Sequence, residues 1–219
     1  MTEIILNSGT TWVVPLDWDS AANSIECWAG GSSGTDGSGA KGGFGGGSSA
    51  YARGDNIALT PGATINIGIG AGGVNATTTS VAGGPTYFNA TSLANAQSNG
   101  NSVSVAAENG RAGSAGDNGL GGRAAQSVGN HTTTNGSDGG NNSGNTGGGG
   151  AAAPNGGSGG TAGNSSVNAG GVGGTPGGGG GGGYGTAKIN AAGGNGGPGR
   201  IRINYTPRTP FHCRAYMVS

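Results

Sequence analysis

Catalysis requires a nucleophile, or an acid and a base, held by a positioned partner. The residues that could supply one are few: nine Asp and Glu, two histidines and two cysteines in 219 residues. His131 sits in a polar loop and His212 in the C-terminal tail, while Asp17 and Asp19 flank Trp18 in a stretch, PLDWDS, that reads as a turn. Each of these reads as a solvated surface group. No two carboxylates stand out as a glycosidase pair. The all-glycine run 177–183 is followed by neither a GK[ST] motif nor a strand-turn-helix context, so a phosphate-binding loop is excluded. Cys27 and Cys213 are too few for a disulfide scaffold and lack zinc-ligand spacing; free thiols are favoured over a bridge between them. Arg53-Gly54-Asp55 spells an adhesion tripeptide, but in so glycine-rich a chain it reads as a chance match with its charges on a turn between strands. The expectation is a protein that is not an enzyme, with no cofactor and no metal site.

Binding chemistry is better represented. Aromatic side chains set among adaptable Asn, Ser and Thr suit flat polar receptors and glycans. Thr86, Tyr87, Phe88 and Asn89, within the segment 85–105, are candidate receptor-binding residues, as are His131 in the polar loop 130–145 and Tyr184 after the glycine run. The competing reading is structural, with Tyr87 and Phe88 plugging a core. Trp12, Trp18 and Trp28 are assigned to that core or its rim.

The elements that must position these residues have an unusual composition. Glycine supplies 57 residues and proline 8, while charged residues make up 8% and aromatics 5%. Such a chain stands at the edge of low complexity, yet apolar β-branched and aromatic clusters occur at both its ends. The formal net charge of zero argues against nucleic-acid binding. No apolar run approaches the ~20 residues of a membrane helix, and the opening MTEIILNSGTTW lacks the basic n-region and long h-region of a secretory signal, so neither membrane insertion nor that export route is expected.

A period of three runs through the glycine-rich stretches: AGG SSG TDG SGA KGG FGG from Ala29, ENG RAG SAG DNG LGG RAA from Glu108, and further triplets from Thr146, Ala169 and Ala192. Three residues per turn is the repeat of the extended polyproline-II-type helix. Collagen would need unbroken phase and far more proline, and a flexible linker would not keep phase or alternate with apolar segments. A bundle of polyglycine-II-like rods fits better, with glycine removing the Cβ where neighbours approach and exchange N–H···O=C bonds. Lys41, Phe44, Arg111, Leu120, Arg123 and Val172 would line outer faces.

Strands are predicted over 3–7, 10–14, 24–28, 51–59, 64–69, 103–107 and 200–205, the last alternating Ile201, Ile203 and Tyr205 on one face with Arg200, Arg202 and Asn204 on the other. Almost no α-helix is predicted. The expected fold is therefore all-β and irregular: a small β-sandwich from strands in 1–28 and 200–207, with 50–69 contributing, into which a polyglycine-II-like insertion, 29–199, is set. The core is small for the chain length, so association in an oligomeric assembly is expected.

The opening TTWVVPLDWDSAANSIECWAGG, the middle block IALTPGATINIGIGAGG with GGPTYFN, and the close GGNGGPGRIRINYTP resemble the glycine-rich proteins encoded among bacteriophage and prophage tail genes. The rods more distantly resemble those of phage tail-fibre tip adhesins. The resemblance implies a virion protein of the tail, fibre or particle surface, assembled in the bacterial cytoplasm. Its expected partners are other virion proteins of fibre, baseplate or capsid, and a bacterial surface glycan or outer-membrane protein met by rod-end loops. An architectural role without a receptor is the alternative. The tail 208–219 departs from the family, which makes Arg208, Phe211, His212 and Tyr216 candidates for docking a partner.

Hydrogen exchange tests the rods directly. Slow exchange is expected across 29–46 and 108–125 without helical circular dichroism; rapid exchange throughout would mean flexible filler.

Overall fold

In the computed structural model, which describes residues 1–75, 78–113 and 116–208, two antiparallel sheets form a small sandwich. The strands are β1 (Thr2–Leu6), β2 (Thr11–Val13), β3 (Asn23–Trp28), β4 (Tyr51–Asp55), β5 (Thr64–Gly68), β6 (Thr86–Phe88), β7 (Val105–Ala107), β8 (Thr132–Thr134) and β9 (Arg200–Tyr205). One sheet has the order β1-β9-β3-β4-β8 and the other β2-β5-β6-β7. The last strand thus inserts between the first and third, with Ile203 opposite both Ile4 and Ile25. Alternation sends Ile201, Ile203 and Tyr205 inward to meet Trp18, Ile25, Ile57, Ile65, Ile67, Phe88 and Val105. Trp18 is fully buried, edge-on to Trp12 with ring centroids 5.7 Å apart and 5.2 Å from Tyr205. All-β character is what the alternating segments predicted.

Between the strands the chain runs out from the sandwich and back six times as straight, extended rods. In chain order they are A (29–37), B (42–50), C (70–75), D (80–85), E (108–113), F (118–123), G (135–141), H (146–153), I (156–163), J (168–174), K (177–185) and L (191–199). Their bonds are lateral and follow the period of three. On rod A, Gly30 and Ser33 donate to rod D at Gly84 and Val81, Gly31 and Gly34 to rod L at Gly197 and Gly194, and Ser32 and Thr35 to rod B at Gly47 and Phe44. Rod K donates to J from Gly178 and Gly181, to H from Gly179 and Gly182, and to A from Gly180 and Gly183. Its carbonyls accept from B, I and L, for example Gly46 to Gly180, Gly160 to Gly179 and Gly194 to Gly181. Rods A, B and K are mutually bonded and stand inside a closed ring of the remaining rods, a hexagonal array.

Six bonded neighbours leave little room for side chains along rod K, which is glycine from Gly177 to Gly183 and carries Tyr184 only toward its remote end. A Cβ on Gly180 would overlap the carbonyl oxygen of Gly194, and one on Gly182 that of Gly43. Most Ser and Thr hydroxyls of rods A and B enter the lattice: Ser32 Oγ accepts from the Gly47 amide at 2.7 Å, Thr35 Oγ1 from the Phe44 amide at 2.8 Å, Ser33 Oγ from the Val81 amide at 2.9 Å and Ser48 Oγ from the Ser137 amide at 2.9 Å, whereas Ser49 Oγ is buried without a partner. Lys41, Arg123 and Val172 are exposed, and Phe44, Arg111 and Leu120 half-buried, as outer-face residues should be.

Several expectations change. The stretch 29–46 is two rods joined by a tight turn at 38–41, and the span 29–199 is no single insertion, because β4 to β8 return the chain to the sandwich. The single short helix among the described residues, α1 (Leu93–Asn99), agrees with the expectation of almost no helix; it is capped by Ser92, whose hydroxyl accepts from the Asn95 amide, and closed by Gly100. Its caps are in the sequence, but only Leu93 and Ala96 face the protein, too few for a helical apolar stripe. Arg53-Gly54-Asp55 lies in β4 rather than on a turn, with Arg53 Nε donating to Asp55 Oδ1 at 2.8 Å. Cys27 is a buried thiol whose ionisation burial disfavours; Cys213 lies outside the described residues.

The sandwich meets the bundle through a charge cluster built on the buried Glu26 carboxylate. Glu26 accepts from Arg202 Nε at 2.5 Å and from the Tyr51 hydroxyl at 2.7 Å; Arg202 lies over the Trp28 ring, and the Trp28 indole donates to Pro154 in the turn joining rods H and I. Burial pushes the Glu26 carboxyl up, but the Arg202 and Tyr51 hydrogen bonds and the charges of Arg202 and Arg53 outweigh it and hold the group below the usual carboxylate range. Glu108, bonded to the side chain and amide of Arg123, is lowered in the same way.

Two predictions follow from this packing. Gly180→Ala is expected to cost about 3 kcal/mol or more in unfolding free energy, since the array must open around one methyl group. Gly149→Ala, whose Cβ meets open space, should change stability by less than about 1 kcal/mol; equal losses in the two variants would refute the lattice explanation. Because the folded pKa values of Glu26 and Glu108 are depressed, their stabilisation is complete above the unfolded value of roughly 4.3 and is lost as pH falls through the lower folded values. The thermal midpoint should therefore drop on acidification below about pH 4, and Glu26→Gln should flatten that limb while lowering the midpoint at pH 7; an acid limb of unchanged steepness would remove Glu26 as a source.

Candidate functional site

Because rods leave and re-enter the sandwich in pairs, the outer turns of the pairs A–B, G–H, I–J and K–L lie at the end of the bundle remote from it. The described turns there close on themselves. Ser38 and Lys41 exchange both amide bonds around Gly39 and Ala40, each with positive φ. Ser143 and Thr146 do the same in the G–H turn, and Thr186 and Ile189 in the K–L turn. In the I–J turn, Asn164 Oδ1 accepts from the Ser166 and Val167 amides, both at 2.9 Å. Turns capped by their own atoms leave the rest of their surface available for other contacts.

The A–D register, Gly30 with Gly84 and Ser33 with Val81, brings Asp36 level with Thr78 in the C–D turn. The A–B turn continues from there through residues 38–41. Beside it opens a cleft of about 410 Å³, lined by Thr35, Asp36, Lys41, Phe44, Asn142 and Gly144 among others. Asp36 Oδ1 accepts from Asn75 Nδ2 at 2.5 Å and from the Gly193 amide at 2.9 Å, and Asn142 Nδ2 donates to the Gly42 carbonyl at 2.5 Å. Both polar groups are held in place before any ligand arrives. Phe44 is half-buried in the same cleft.

The sequence-based candidates fall elsewhere. Thr86 and Phe88 are buried in β6, Thr86 Oγ1 accepting from the Gly70 amide and Phe88 packing in the core. Tyr87 packs with Ala90, Ala96, Ala106 and Val128 beneath α1, and the Asn89 amide donates to the Val103 carbonyl. The segment 85–105 is thus β6, α1 and β7 at the sandwich end, not a remote rod-end loop, and Tyr87 and Phe88 plug the sandwich. His131 Nδ1 lies 3.0 Å from Asp55 Oδ2 where β8 begins, also at the sandwich. Tyr184 alone of this group lies toward the remote end, half-buried, its amide donating to Asn168. Of the docking candidates, Arg208 turns back on the sandwich, its amide donating to the Asp17 carbonyl and its Nε 3.7 Å from Asp19 Oδ1; Phe211, His212 and Tyr216 lie outside the described residues.

Reasoning from the sequence missed Asp36 and Asn142, and placed Lys41 and Phe44 only on outer faces. One signal was present. The triplet SGA before KGG is the single place in that run where glycine leaves the closing position, and it marks the A–B turn.

A second cavity, about 290 Å³, lies on the sandwich beside Asn23, Arg53, Asp55 and Asn204. Among the described residues no helix is long and apolar enough to cross a membrane. The sequence pattern of a glycine-rich domain matches residues 6–206, from the end of β1 to just past β9. No curated protein matches the chain.

Proposed function

The chain belongs to the glycine-rich domain family, and we propose that this member is a structural protein of a bacteriophage virion, borne on the tail, fibre or particle surface, that attaches to the host through the remote turns of its rod bundle. The observation that carries the reading is the polarity of the molecule. Its apolar core and both described termini lie at one end, and its self-capped polar turns are gathered at the other. A rigid stalk of this kind presents loops at a fixed distance from an anchor, which is the requirement of an attachment protein. The likeness of the opening, middle and closing blocks to phage tail-gene proteins supports the same assignment. The role is one of binding and architecture rather than catalysis, and other virion proteins would cover the sandwich end.

Fluorescently labelled protein should bind saturably to intact cells of the bacterium whose phage or prophage carries the gene. Exchanging the turns 164–167 and 186–190 for Gly-Ser turns of equal length should weaken that binding at least tenfold while leaving the thermal midpoint within a few degrees. Binding that is absent, or unchanged by the exchanges, would leave a purely architectural virion protein.

A further inference from the structure

Asparagine followed by glycine is among the least durable dipeptides of a protein chain, because the glycine amide nitrogen, with no Cβ to shield it, reaches the asparagine Cγ readily. The sequence holds six such pairs, at Asn99, Asn109, Asn118, Asn135, Asn155 and Asn195. In all but Asn155 the fold ties down the carboxamide. Asn99 Nδ2 donates to the Asn89 carbonyl and to Ser104 Oγ, Asn109 Nδ2 to the Gly110 carbonyl and Asn118 Nδ2 to the Gly139 carbonyl, while Asn135 Oδ1 accepts from the Ala124 amide and Asn195 Oδ1 from the Asn75 amide. The four of these in rods also spend the glycine amide on another rod: Gly110 donates to Gly30, Gly119 to Gly45, Gly136 to Gly122 and Gly196 to Gly73. Neither half of the dipeptide is free to meet the other until rods separate.

Asn155-Gly156 stands apart. It lies in the turn between rods H and I, where the Gly156 amide donates to the Ala153 carbonyl at 3.1 Å and Asn155 has a φ of 52°. That bond is internal to the turn, so local opening breaks it, whereas freeing a rod amide means parting the lattice. The Gly100 amide is also bonded locally, to Ala96, but there the Asn99 carboxamide is held twice. Asn155-Gly156 is the one pair with both residues exposed, and among the described residues no hydrogen bond reaches the Asn155 carboxamide. From this contrast we propose that Asn155 is a site of spontaneous modification in the folded protein, converted to aspartate and isoaspartate while the fold keeps the other Asn-Gly pairs intact. The Gly156 amide gives its proton to solvent base and its nitrogen bonds to Asn155 Cγ; the Cγ–Nδ2 bond breaks and ammonia departs, leaving a succinimide. Water opens that ring at either carbonyl. The net change is uptake of water and loss of ammonia, with no oxidant and no enzyme. Either product is a carboxylate within a stretch, 139–187, that holds no charged residue. Isoaspartate also adds a main-chain carbon to a turn that Trp28 clamps, its indole donating to the Pro154 carbonyl at 2.8 Å, so the change falls at the junction of bundle and sandwich.

Incubating the whole chain in warm, mildly alkaline buffer tests the site, with each Asn-Gly pair followed by peptide mass spectrometry and isoaspartate labelled by isoaspartyl methyltransferase. In the folded chain Asn155 is expected to convert about tenfold or more faster than any other pair. In urea that lead should shrink to within a few-fold, because the fold and not the dipeptide sets the difference. Asn155→Gly, which suits the positive φ, should abolish conversion at this turn while the chain melts as before. Conversion led by another pair, or an Asn155 that reacts no faster than the rest in the folded chain, overturns the proposal. A lead that survives undiminished in urea overturns it as well, since the neighbouring Pro154 rather than the lattice would then govern the rate.

Discussion

A polyglycine-II rod makes no hydrogen bond to itself, so each buried amide must find a carbonyl on a neighbouring rod or stand unpaired at a cost of about 1–3 kcal/mol. The rest of the molecule follows from that demand. Lateral bonding needs rods close enough for backbones to touch, which removes the Cβ wherever a neighbour lies. The requirement is strictest along Gly177–Gly183 of rod K, bonded on all sides, and relaxes outward to rods that carry Val172 or Arg123 on open faces. Serine and threonine are admitted at a few inner positions because their hydroxyls take part in the same bonding.

The sandwich supplies what the rods lack. Lateral bonds between near-identical glycine backbones specify no register, since a slip of three residues restores the same pattern. The strands fix the register by starting and ending rods at set heights. Trp28, at the end of β3, leads into rod A, and Tyr51, which opens β4, receives rod B. The Glu26, Arg202 and Tyr51 cluster and the Trp28 bond to Pro154 fasten the bundle to that base. Hydrophobic burial is thus concentrated where specificity is needed, and backbone bonding carries the length.

A division of this kind separates stability from recognition. The remote turns close with their own atoms, so their sequence is free to answer to a ligand.

The sequence alone determined the building units. Period three with glycine at the closing position identified most of the rods, and alternation of Ile, Tyr and Arg identified β9 to the residue, because both are local consequences of backbone geometry acting on side-chain type; the stretch 130–145, read as a polar loop, holds β8 and rod G. Tertiary structure decided which rods are inner and which outer, that β6 to β8 belong to the sandwich, and that Tyr87 and Phe88 face inward while Phe44 faces a cleft. Those outcomes depend on which rod lies beside which and on where each pair turns back. Residues such as Asp36, Asn75 and Gly193, far apart along the chain, come together only once the strands have set the rods in register, and no local propensity encodes that meeting.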